Sequence, residues 1–213
     1  MKHEYKTIGI ASLLVGLNIV LMSFIAFTPL AAVTEYVFNY LILGVLFFGA
    51  LLTGGVWIAK SGIRNNNKPK ALLGTSILQF AYGLFGGGIL SLAPANLMPL
   101  IIGSTFLISL GIAVAAAALV YLTNRDFSSW GMHSTYIFLG VAGMAFIGTF
   151  SGIFGLITFI LALIGFITYL VYEIHVLKTQ EASALMNALG IYVAFMGVFV
   201  QILQMVLRYY LER

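Results

Sequence analysis

The sequence predicts an all-α, polytopic membrane protein: a seven-transmembrane-helix bundle with a central seventh helix. Three observations predict it. Of 213 residues, 62% are apolar and only 8% charged, with a mean hydropathy of +1.08. A soluble domain carries roughly 25% charged residues, so this chain has too little charge to cover a water-facing surface. Its apolar residues fall into seven runs, each near the roughly 20 residues needed to cross the hydrocarbon core. Finally, polar residues recur along one stripe of the last run, which places that helix among the others.

Taken in order, the runs predict helices over residues 7–28, 36–59, 71–92, 99–122, 132–148, 152–175 and 185–208, and residues 1–213 form one transmembrane domain. The first run follows Lys2 and Lys6, as a signal peptide's does. Its apolar stretch exceeds the roughly 7–15 residues of a signal h-region, so it is read as a span. Glycines at small-xxx-small spacing, Gly83/Gly87 and Gly148/Gly152, suit close helix packing. The run Gly86-Gly87-Gly88 in the third helix is read as close packing, with a kink or a thin wall as the alternative. No long repeat is evident.

Orientation follows from lysine and arginine. Lys2, Lys6, Lys60, Arg64, Lys68, Lys70, Arg125 and Lys178 fall at one set of helix ends, and only Arg208 and Arg213 at the other. Eight against two places the N-terminus in the cytoplasm and the C-terminus outside. The Lys60–Lys70 cluster reads as a topology signal, with an anionic-lipid patch as the alternative. The very short tails suggest a prokaryotic plasma membrane, with an internal eukaryotic membrane as the alternative. With no cysteine in the chain, disulfides and thiolate metal sites are excluded.

Ionisable groups within a membrane are costly and ordinarily face a protein interior or a water path. Glu173 and His175 lie at the end of the sixth span. Glu173 reads as an ion ligand, a gate that responds to pH once buried, or an interfacial residue reaching the headgroups. His175, two residues on, points to a different part of the helix surface. On the seventh helix Asn187, Ala194, Gln201 and Arg208 recur every seven residues, nearly two turns, with Gln204 one turn from both Gln201 and Arg208. These positions form a stripe facing the bundle interior, either along a polar seam or in interhelical hydrogen bonds. Asn18 and Gln79 are further candidates for that interior. Glu35 reads as interfacial.

Several chemistries are set aside. No lysine sits deep in a helix to form a retinal Schiff base. The string Gly148-Thr-Phe-Ser151-Gly152 has the wrong spacing for a rhomboid-type serine nucleophile. Asp126 is the only aspartate, so a pair of aspartates sharing a site is absent. The three histidines are dispersed and make no metal motif. The sequence therefore predicts no enzyme and no cofactor. The partners it predicts are the bilayer, cations and other membrane proteins, not nucleic acid.

Three segments together carry a resemblance. Gly103-Ser-Thr-Phe106 leads to Thr123-Asn-Arg125-Asp126-Phe127-Ser128; Tyr169-Leu-Val-Tyr172-Glu173-Ile-His175 closes the sixth span. Ala188-Leu-Gly-Ile-Tyr192-Val-Ala194-Phe195 and Val198-Phe199-Val-Gln201-Ile-Leu203 build the seventh. Their order over residues 100–208 resembles the transmembrane Bax inhibitor motif family, seven-helix proteins associated with calcium leak. The resemblance implies six helices around a central seventh and a pH-sensitive calcium leak. It also implies a carboxylate near the end of the sixth helix that shares a proton with an aspartate on the seventh and controls the pore. Glu173 matches the first position, with Glu for the usual Asp, and Ala194 falls on the second. Arg125 and Asp126 match the family's loop motif, and by themselves they read as anchoring a helix end at the interface.

The break at Ala194 has physical consequences. Two nearby carboxylates raise one pKa and offer a divalent ion two charges and several oxygens. Glu173 alone would hold calcium weakly and transiently. The function expected is a pH-influenced, passive cation (calcium) leak channel with Glu173, Ala194, Asn187, Gln201, Gln204 and Arg208 along its path. His175, Asp126 and Arg125 are modulators in this reading, and calcium is the permeant ion. The alternatives are a non-conducting scaffold that binds membrane proteins and a small-solute transporter.

Overall fold

A computed structural model of the chain describes residues 2–38, 41–123, 125–148, 152–179 and 182–212. They form eight helices: α1 (Lys2–Ala26), α2 (Leu30–Phe38), α3 (Leu41–Arg64), α4 (Lys68–Leu90), α5 (Met98–Leu122), α6 (Trp130–Gly148), α7 (Gly152–Thr179) and α8 (Ala184–Leu211). Seven are long and apolar enough to cross a membrane; α2 is the short one. The second span differs from its expected range. It covers Leu41–Arg64 rather than 36–59, because α2 takes up residues before it. Glu35 falls where side chains lie outside the described residues, as do Ser151 and the surroundings of Gly152.

Local chemistry sets several ends. Asn66 adopts a left-handed conformation, φ 51°, which asparagine tolerates better than most residues. Next to it, the Asn67 side chain caps α4 by accepting from the Lys70 N–H at 3.0 Å, and Pro69 lies in the first turn, where its missing N–H costs nothing. Ser183 caps α8 in the same way, accepting from the Met186 N–H at 3.3 Å.

The helices arrange themselves around α8. Helices α1, α4, α5 and α7 pack directly on it; α3 packs on α4, and α6 joins α7 to α3 on the outer arc. The result is that α8 is buried along most of its length while the other spans turn apolar faces outward. Large apolar side chains such as Leu122, Ile153 and Leu107 are exposed, as lipid contact requires.

Glycines make the close crossings. A Cβ on Gly62 or Gly74 would meet backbone atoms of the facing helix in the α3–α4 pair. In the Gly86-Gly87-Gly88 run a Cβ would meet Met22, Ile25 and Thr34 respectively, so the run is a packing surface for α1 and α2. The α4 backbone keeps negative φ throughout the run. Between α1, α4 and α8 a polar cluster is buried. The Asn18 amide donates to Gln79 Oε1 at 2.7 Å, to the Gln79 carbonyl at 2.9 Å and to the Tyr192 hydroxyl at 3.0 Å. Tyr82 donates to the Val193 carbonyl at 2.6 Å. Asn18 and Tyr82 thus hold the central helix to its neighbours, while Gln79 joins α4 to α1.

Candidate functional site

The last turns of α7 lie against the first turns of α8 at the lysine-rich end of the bundle. Glu173 is 3% exposed there. Its carboxylate occupies the place that a Cβ on Gly190 would take, so the side chain lies flat on the α8 backbone. Lys60 of α3 approaches from the side, its Nζ 3.5 Å from Glu173 Oε1, and it is one-third exposed. The Tyr169 hydroxyl, one turn back on α7, lies close to the same carboxylate. A buried carboxylate therefore has one cation, one hydroxyl and a glycine surface around it.

Ala194 lies one turn beyond Gly190 and is fully buried. Residues four apart on a helix are neighbours, so position 194 is adjacent to the Glu173 carboxylate and supplies only a methyl group. Asn187, one turn to the other side, is 1% exposed, and neither atom of its amide has a partner among the described residues. Gln201 is buried and accepts a long hydrogen bond, 3.5 Å, from the half-buried Gln204. Arg208 departs from the expected interior stripe. It is exposed, and a long cationic side chain there reaches out of the bundle.

His175 is buried and pairs with the exposed Asp126, Nε2 to Oδ1 at 3.1 Å. The Ser128 N–H and hydroxyl also donate to Asp126, at 2.8 and 3.0 Å. The Ser128 N–H first, then its hydroxyl, and beyond them His175 hold the Asp126 carboxyl below its ordinary value. Arg125 is exposed. The α5–α6 loop is thereby fastened to α7 two residues from Glu173. Lys178 fastens the end of α5 as well, donating to the Val120 carbonyl at 2.8 Å.

The sequence pointed to Glu173 and the stripe on α8 but missed two members of the site. Lys60 was read only for its charge, as a topology or lipid signal. Gly190 was one glycine among 23; a partner for it is visible only once α7 and α8 are side by side.

Fold and site define a polytopic membrane protein in which α1, α4, α5 and α7 pack around a buried last span, with a carboxylate held against it. The family described as inhibitor of apoptosis-promoting Bax1 matches residues 1–209, and the chain belongs to that family, the Bax inhibitor-1 family. No curated protein matches it.

Proposed function

We propose that this protein is a passive cation leak channel, with calcium as permeant ion, whose gate is the Lys60–Glu173 pair. One observation carries the reading: a carboxylate is buried against the central helix with a single lysine beside it. An uncompensated charge there would be costly, and the ammonium stands where a permeant cation would stand. Protonating Glu173 removes the attraction that holds Lys60. A pH-influenced leak results from that, without a second carboxylate. The lysine-rich end is cytoplasmic in this proposal, the membrane is a prokaryotic plasma membrane, and the protein is not an enzyme.

Ala194 favours a second reading. Calcium prefers several oxygen ligands, and position 194 supplies none, which suits a scaffold that binds other membrane proteins. Reconstitution in liposomes with a trapped calcium dye separates the two. Wild type should pass calcium in a pH-dependent manner, and Glu173→Gln should flatten that dependence. If wild type is silent and Ala194→Asp conducts, the fold is a leak whose gate this chain has lost. Silence from all three, each folded, would sink the channel reading.

A further inference from the structure

Two hydroxyls on α5 break a habit that other spans keep. A serine or threonine inside a helix commonly returns its hydroxyl to the carbonyl four residues back. Ser23, Thr75, Thr158 and Thr168 do this at 2.7 to 2.9 Å. Thr105 and Ser109 do not. Both are fully buried, and neither hydroxyl has a partner among the described residues. They sit one turn apart in the buried stripe of α5, which packs on α7 and α8. A dry apolar interior penalises such groups, whereas water or an ion would satisfy them.

Their level along α8 can be read from ring and glycine contacts. The rings of Phe106 and Phe195 meet edge to face, 6.3 Å between centroids. Since α5 and α8 run in opposite directions, Ser109 lies near the level of Tyr192, and Thr105 near that of Met196. On the α7 side, Glu173 meets Gly190 and Phe166 meets Gly197. Around α8, positions 187, 190, 194, 197 and 201 fall within a stripe about 80° wide. That stripe is the one facing α7.

The geometry points to a polar ladder between α5, α7 and α8: Asn187, Glu173, Ser109, Thr105 and Gln201. At about 1.5 Å of rise per residue its steps are roughly 3 to 8 Å, and it covers about 21 Å along α8. Most of a hydrocarbon core of about 30 Å is thereby crossed. We propose that this seam is hydrated and is the route of the permeant cation. The α5 hydroxyls then supply oxygens at the level where position 194 has none. This rests on the leak reading above and adds to it the residues beyond the gate.

The chain contains no cysteine, which permits a clean test. Thr105→Cys, Ser109→Cys and Gln201→Cys would each be treated in liposomes with silver ion, and the remaining thiols counted after denaturation. Leu107→Cys and Val114→Cys, on the outward face of α5, serve as lipid-facing controls. Thiolates form where water reaches, so the three ladder positions should react at least about tenfold faster than the controls. In parallel, Thr105→Val with Ser109→Ala should lower calcium flux about tenfold, the scale of a hydrogen bond to a charged group. Ladder thiols as slow as the controls, in protein that passes calcium, would overturn the ladder and leave the leak. Reactive thiols in protein that passes no cation would keep the hydrated seam and overturn the leak.

Discussion

At Gly190 the backbone of α8 and the carboxylate of Glu173 share one small space, and the absent side chain is what permits it. Gly190→Ala should therefore displace Glu173 and cost about 1–3 kcal/mol, the usual penalty of overpacking. Denaturation in detergent measures the cost. Gly111→Ala, where a Cβ meets nothing, should stay within about 0.5 kcal/mol of wild type. Lys60→Met tests the other side of the site. It leaves Glu173 buried without its counter-charge, and the loss should be about 1–3 kcal/mol, below that of a fully buried pair because Lys60 is partly exposed. Glu173→Gln in the Lys60→Met background should recover most of it. At Asp126 the sign comes from its lowered pKa. Its contribution to holding the α5–α6 loop is present above the ordinary value of 3.8 and is lost as pH falls through its lower folded value. Amide protection in residues 125–129, measured against the unstructured rate at each pH, should fall in acid, and Asp126→Asn should show the lower protection at neutral pH.

Among elements, α4 shows how composition becomes packing. Gly86, Gly87 and Gly88 lie one after another around the helix and serve different neighbours, Met22 and Ile25 of α1 and Thr34 of α2. Gly88→Val should separate α2 from α4, where Thr34 also donates to the Leu84 carbonyl at 3.1 Å. Asn18→Leu should loosen α1 from α8 through the Tyr192 hydroxyl, at about 1 kcal/mol for an interhelical hydrogen bond in a membrane. The helices themselves were legible in the sequence, since each span is an apolar run of the required length. The break before the second span was not: α2 is as apolar as α3, and hydropathy cannot mark a boundary between two apolar helices. The Gly-Gly-Gly run was legible as a packing surface but not as a surface with three separate partners.

Across the whole molecule, the lysine-rich end carries the Lys60–Glu173 and His175–Asp126 pairs, and the far end carries the exposed Arg208. With that end cytoplasmic, a thiol at Asn66→Cys in the α3–α4 turn should be labelled from the cytoplasmic side only. One at Asn96→Cys, in the α4–α5 connection, should be labelled from outside. The reverse pattern would overturn the orientation. What the sequence by itself determined was the class of molecule, the number of spans and the central place of the last one. Hydropathy and the spacing of Asn187, Ala194 and Gln201 depend only on the chain's own order. Tertiary structure alone decided which groups meet. Lys60 and Glu173 are 113 residues apart, and no local pattern couples a lysine on one helix to a carboxylate on another. Arg208 shares the heptad spacing of Asn187 yet is exposed, because burial depends on what the neighbouring helices present and not on the repeat.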